Sequence, residues 1–207
     1  MSLYNWDKRS RQAAFETGQL IEKLVAGYYG HLAATIIATD ARAVSMAPAI
    51  ETGQNVPVGR VFRNDQTSHT FHFLHYLKTL KTDPVIEETL SRVWLSGVLI
   101  TAGDLLSKNG YFDKAPEFEL VRHLRNGIAH GNTFRIDNVN KLIEFPAHNM
   151  FAAVRSDKHA DFVVDESVQG LPVLFDFMGE GDILDLLISV GLRLIQLGNS
   201  ESNAIEK

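Results

Sequence analysis

The chain has 207 residues, no cysteine, 25 acidic against 20 basic side chains and a formal net charge of −5. Without cysteine there are no disulfides, no thiolate catalysis and no Cys-ligated zinc. The acidic balance argues against a general nucleic-acid coat, which neutralises phosphates with surplus Lys and Arg, and leaves room for an enzyme with a small basic pocket.

A hydrophobic fraction of 45% with 22% charge is that of an ordinary globular domain. No uninterrupted apolar run reaches bilayer-spanning length, so no membrane partner is expected. Residues 1–9 carry charge without an apolar stretch behind it, unlike a signal peptide. Together with the missing cysteines this predicts a reducing, cytoplasmic location.

Residues 7–39 carry Leu20, Ile21, Leu24, Val25, Tyr28, Leu32 and Ile36 at intervals of three and four, which predicts a long helix, weakened or bent at Gly27 and Gly30. His31 on it reads as an ordinary core or surface histidine. Residues 47–65 are rich in Pro, Gly and Asn and read as a connecting loop, with Arg60 and Arg63 as surface arginines. Residues 66–81 suit a helix capped by Asp65. His69, His72 and His75 lie on it, but His69 and His75 are too far apart around a helix to share one ion. No metal is expected there.

Asp83-Pro84 is a cap followed by a proline at the first helical position, and opens a helix that ends at Lys108-Asn109-Gly110. Asp104 near its end reads as a solvated acid, with orientation of a base on the motif helix as the alternative. A short link leads to a second helix from Pro116 to Gly131-Asn132, an antiparallel neighbour of the first. Leu120, Val121, Leu124 and Ile128 share one face of this helix. Glu119, Arg122, His123, Asn126 and His130 share the opposite one, with Arg125 on the flank.

Two Arg, two His and an Asn are an unusual outfit for a solvated face. Either it is a capped surface helix, or it is a phosphate site with a titratable imidazole: Arg offers a planar fork of donors, and His moves protons near neutral pH.

After Asn132 the period changes to two. Residues 133–145 read as a hairpin, and residues 161–164 and 173–177 as further strands, a small β insertion at about 133–177. Gly181-Asp182 then opens a helix to Leu197-Gly198 that is apolar nearly all round, so it must be buried centrally or in a subunit interface. The polar residues 199–207 form a tail without packed structure.

Arg125-Asn126-Gly127-Ile128-Ala129-His130 resembles the R-N-x-x-x-H form of the R-x(4–6)-H motif of HEPN domains. The close resemblance covers about sixteen residues; the helical layout extends it loosely over most of the chain. It implies a mainly α, up-and-down HEPN-like helical bundle, forming one domain with its β insertion. It further implies a metal-independent endoribonuclease in toxin, defence or RNA-processing work, with RNA as substrate and no cofactor. The family's site lies between two subunits, each contributing its Arg125 and His130. His130 then moves a proton, Arg125 stabilises charge on the scissile phosphate, and Asn126 orients one or the other. Arg122, Glu119 and His123 are lesser substrate-binding candidates.

A regulatory or antitoxin partner is compatible with the resemblance. HEPN toxins paired with a nucleotidyltransferase antitoxin often carry a Tyr two residues after the His; here that residue is Asn132, and the likeness to that subgroup stops there. Two alternatives stand beside the enzyme: a HEPN-like module that binds nucleotide or RNA without cutting, and a structural or interaction protein.

Overall fold

Four of the five expected helices form close to their expected limits. In the computed structural model, which describes residues 8–150 and 161–200, α1 runs unbroken over Lys8–Thr39, straight through Gly27 and Gly30. Helix α3 spans Pro84–Lys108 and starts on Asp83, whose Oδ1 accepts the Val85 N–H at 3.1 Å. Helix α4 spans Pro116–Ala129, and α6 spans Glu180–Asn199. The protein is mainly helical with a small two-stranded antiparallel sheet.

The chain divides into two compact units, residues 28–93 and residues 1–27 with 94–207. In the larger unit the apolar stripes of the helices supply the core. Ala14 and Ile21 of α1, Leu95, Leu99, Ala102 and Leu106 of α3, Phe118, Leu120 and Leu124 of α4, and Ile183, Leu186, Leu187, Val190 and Leu194 of α6 are all fully buried. Small residues let α1 and α6 meet: a Cβ on Gly18 would stand 2.7 Å from the Gly191 carbonyl oxygen. A Cβ on Gly198 would stand 2.6 Å from the Cβ of Phe15. The apolar circumference of α6 is thus largely buried within its own chain, the central placement of the two expected. Its Arg193 reaches Glu117 of α4 at 3.2 Å, closing a half-buried ion pair at the start of that helix.

The smaller unit has few buried side chains, among them Tyr28, Thr35 and Ala43, while Val44, Met46, Ile50, Val61 and Phe62 stay exposed. Here the sequence reading needs correcting. Residues 66–81 are not one helix. Strand β1 (Val58–Phe62) pairs antiparallel with β2 (Ser68–His72), in a register that sets Arg60 opposite Thr70. Helix α2 is only Phe73–Thr82.

The reason lies in the caps. Asp65 does not cap a helix; its Oδ1 accepts the Thr67 N–H at 2.9 Å and closes the hairpin turn. His72 takes the capping role, its Nδ1 accepting the His75 N–H at 3.1 Å. Of the two arginines expected at the surface here, Arg60 pairs with Glu51, and Arg63 donates to the Ser68 carbonyl at 2.9 Å. Half-buried His31 packs its ring 6.4 Å from that of Tyr28.

The β insertion expected after α4 is also corrected. Val139–Glu144 forms a short helix, α5, with Asn138 Oδ1 accepting the Asn140 N–H at 3.0 Å. An Asn at that position offers the backbone a local cap in competition with a strand ladder. Among the described residues of 133–177, pairing is limited to isolated bridges, Thr133 to Pro172, His148 to Val163 and Leu174 to Met178. Residues 1–7, 151–160 and 201–207, on which the expected start of the first helix, part of the insertion and the polar tail fall, lie outside the described residues. Among the described residues no helix is long and apolar enough to cross a membrane.

Candidate functional site

Helix α4 carries the site, and the helix is built to hold it still. Pro116 sits at the first helical position, and acids occupy the first turn. Phe118, Leu120, Val121 and Leu124 anchor the inner face, while Ile128 is half-buried. The far end stops where the sequence places the stop. His130 is the cap residue, its N–H bonded to the Asn126 carbonyl at 3.1 Å. Gly131 (φ 84°) and Asn132 (φ 61°) then turn left-handed.

Arg125 is the centre of a chain of polar contacts. Its Nε and Nη2 both donate to Oδ1 of Asp104, at 3.0 and 2.7 Å, and its Nη1 donates to Asn126 Oδ1 at 3.2 Å. The stem of Arg125 lies on α3, where a Cβ on Gly103 would come within 2.7 Å of its Cγ. Asp104, read from sequence as a solvated acid, therefore engages the motif arginine. The clue was its neighbour: a glycine on the buried side of a helix marks a close approach.

Nearly two turns earlier, Glu119 lies 4% exposed on the side expected to be polar. Arg122 forks it, Nε at 2.7 Å and Nη2 at 2.5 Å. Burial raises the Glu119 carboxyl above its ordinary range, and the attraction of Arg122 opposes that only in part. His123 is half-buried, with its Nε2 at 3.4 Å from Arg122 Nη2. Burial first, and the neighbouring Arg122 charge second, push its pKa down to about 4. At neutral pH His123 is an uncharged acceptor, with no positive charge to offer a phosphate.

The polar face thus has two ends. Glu119, Arg122 and His123 form a sheltered cluster with its charges matched. Arg125, Asn126 and the exposed His130 form the open end. His148 does not approach that end, because its N–H bonds to the Pro116 carbonyl at 3.2 Å, at the opposite tip of α4. At ~1.5 Å per residue the two tips are about 20 Å apart. Arg135 is an exposed side chain beyond the turn.

Asn132, at the position two after the histidine, is a contact that sequence reasoning passed over. Its Nδ2 donates to the Leu174 carbonyl at 2.6 Å and its Oδ1 accepts the Leu174 N–H at 2.9 Å. Among the described residues no group of three or more His, Cys, Asp or Glu is placed to hold a metal ion. Exposed His69 stands on β2, while His72 and His75 belong to the start of α2.

No protein-family model, no curated protein and no solved structure matches this chain.

Proposed function

We propose that the chain is a HEPN-type endoribonuclease that cuts RNA without a metal, through the ribose 2′-OH, at a site completed by a second copy of itself. The observation that carries the proposal is the open end of α4, where Arg125 is held on Asp104 and Asn126 and the helix closes on an exposed His130. Three N–H groups of Arg125 are engaged in those contacts. A guanidinium carries five, so donors remain for a phosphate.

The chemistry follows from the residue types. Among the described residues no cluster of three or more His, Asp or Glu is placed to hold Mg²⁺ and activate a water. The nucleophile nearest the scissile phosphate is the substrate's own 2′-OH, already positioned for attack. His130 takes its proton or gives one to the leaving 5′-oxygen, and Arg125 offsets the growing negative charge. On a helix Arg125 and His130 diverge by about 140°. A phosphate held by both is served more readily when two subunits each contribute one of them. The buried surface of α6 does not supply that dimer contact, since its own chain covers most of it.

The test is an end-labelled RNA incubated with the protein in EDTA, beside the same RNA with a single 2′-deoxy at the cleaved position. Cleavage of the first alone, leaving a 2′,3′-cyclic phosphate or a 3′-phosphate, is the expected result. Cutting of the deoxy substrate, or a strict need for Mg²⁺, overturns the mechanism. RNA bound but uncut returns the protein to the class of binding modules.

A further inference from the structure

The turn that follows His130 is fastened in an unusual way. Asn132 is a non-glycine residue with φ 61°, directly after Gly131 at φ 84°. Asn tolerates this left-handed conformation better than most residues, but tolerance alone does not hold a turn in place. Its side-chain amide grips the main chain of Leu174 in both directions, donating to the carbonyl and accepting from the N–H. The Asn132 carbonyl accepts the Val173 N–H at 3.0 Å, and Thr133 N–H returns to the Gly127 carbonyl at 3.1 Å. Phe134 N–H bonds to the Leu171 carbonyl at 2.9 Å, so the clamp continues for two more residues.

Residues 171–174 are thereby tied to the end of α4, and Val173 and Leu174 within the tie are buried. Val173 and Leu174 are 0% and 3% exposed, and Gly127 leaves room for Val173 because a Cβ there would stand 2.2 Å from its Cγ2. His130 is held in place between the last helical turn and this clamp.

We infer that Asn132 is a positioning residue, a latch that fixes the backbone of His130 by holding the turn after it to Leu174. The inference rests on the reading of the Arg125–His130 face as an RNA-cleaving site. A carboxylate at this position keeps the acceptor and loses the donor, and glycine keeps the left-handed turn and loses the grip. Neither substitution opens a core cavity, since Asn132 is only half-buried.

The experiment compares the parent with Asn132→Gly and Asn132→Asp by two independent readouts. One is RNA cleavage in EDTA, resolved into kcat and KM. The other is amide hydrogen exchange at His130 and Thr133, with Leu120 and Val121 as internal references. The expected result for both variants is kcat lower by roughly tenfold or more, in line with the cost of a small misplacement. KM should stay within about twofold, because the phosphate donor Arg125 is untouched. Exchange should quicken at His130 and Thr133 and not at the references. Parent-like exchange in Asn132→Gly overturns the latch whatever the activity does. Faster exchange with parent-like kcat overturns the positioning role and leaves a purely structural contact. If the parent cuts no RNA while exchange responds as expected, the latch stands and the RNA-cleaving reading falls. Should Asn132→Gly fail to fold, Asn132→Asp carries the same comparison, and lowering the pH to protonate the new carboxyl should restore its donor and raise the protection of His130 and Thr133 relative to Leu120 and Val121, whose intrinsic exchange slows with the same pH change.

Discussion

Arg125 places Nε and Nη2 on a single oxygen of Asp104, at 3.0 and 2.7 Å, so the motif arginine is oriented from the neighbouring helix α3 as well as by Asn126 of its own helix. The pair is open to water, with side chains 35% and 55% exposed. An ion pair of that kind adds at most about 1 kcal/mol to stability. Its contribution is direction, since two N–H groups on one Asp104 oxygen aim the guanidinium toward α3. Asp104→Ala is therefore expected to leave the melting temperature within a few degrees, as ~1 kcal/mol implies for a domain of this size. RNA cleavage should fall in kcat by about tenfold. RNA binding at low salt should tighten, because a negative charge has left the site. A loss in affinity with kcat unchanged would show that Asp104 does not orient Arg125 for chemistry.

The two histidines of the face should separate cleanly. His130 is exposed at the helix end, so His130→Ala removes no core volume and should leave folding intact. If it moves a proton, cleavage should drop ~10²–10⁴-fold. His123 is half-buried and accepts from Arg122, so His123→Ala should cost about 1–3 kcal/mol of stability and little chemistry. Equal rates for parent and His130→Ala would remove the assignment.

Several features were legible in the sequence for plain physical reasons. Pro84 and Pro116 each follow a residue in extended conformation and open α3 and α4. Gly131 and Asn132 close α4 with two left-handed residues. The polar face of α4 was legible because it obeys the helical period. What stayed hidden depends on partners distant in sequence. Glu119 falls on the polar side of the helical wheel yet is buried, and the charges of Asp113 and Lys141, outside the helix, act on it. Asp104 lies 21 residues from Arg125, and the one local sign of the pairing is its neighbour Gly103. Thr133, Phe134 and Ile136 have the period of a strand, but the main-chain groups of Asn132 and Phe134 bond to Val173 and Leu171 in place of a hairpin partner. His69 to Phe73 reads equally as helix or strand, and the choice is made by β1 pairing and by His72 as the cap of α2.

Gly127 is a second lock on the same end of α4. A Cβ there would meet Val173 Cγ2 at 2.2 Å and the Thr133 carbonyl oxygen at 3.2 Å. In an open helix Gly→Ala gains roughly 1 kcal/mol; here overpacking of ~1–3 kcal/mol should reverse the sign. Chemical denaturation of Gly127→Ala should show a net loss, and Val173→Ala in the same chain should return part of it, since removing the methyls makes the room. Two losses that simply add would mean that the contact is not tight.

A site shared between subunits requires a dimer, and α6 does not supply its interface. Sedimentation equilibrium at tens of micromolar (~10⁻⁵ M, where an interface of standard size persists) should give twice the 23.1 kDa chain mass. A pure monomer that nevertheless cuts RNA would show that one chain holds a complete site.

The buried histidine makes acid stability a direct probe of the sheltered cluster. His123 titrates at about 4 in the folded chain, against an ordinary value of 6.5. Between those values the unfolded state binds a proton that the folded state refuses, so stability rises with pH across the window. The contribution is complete above pH 6.5 and is lost as pH falls toward 4. At 1.36 kcal/mol per pKa unit, with some screening because His123 is only half-buried, the loss between pH 7.5 and 4.5 should be about 2 kcal/mol. Glu119 works in the opposite sense, since its raised pKa lets the folded state take up a proton more readily as the pH drops. Other carboxylates add their own slopes. His123→Gln isolates the histidine term: the amide oxygen can still accept from Arg122, but it does not titrate. Urea unfolding of parent and variant at both pH values gives the difference directly. The parent should lose about 2 kcal/mol more than the variant between the two conditions. Parallel losses would mean that His123 is charged and solvated, and that the end of α4 around Glu119 is open to a substrate phosphate after all.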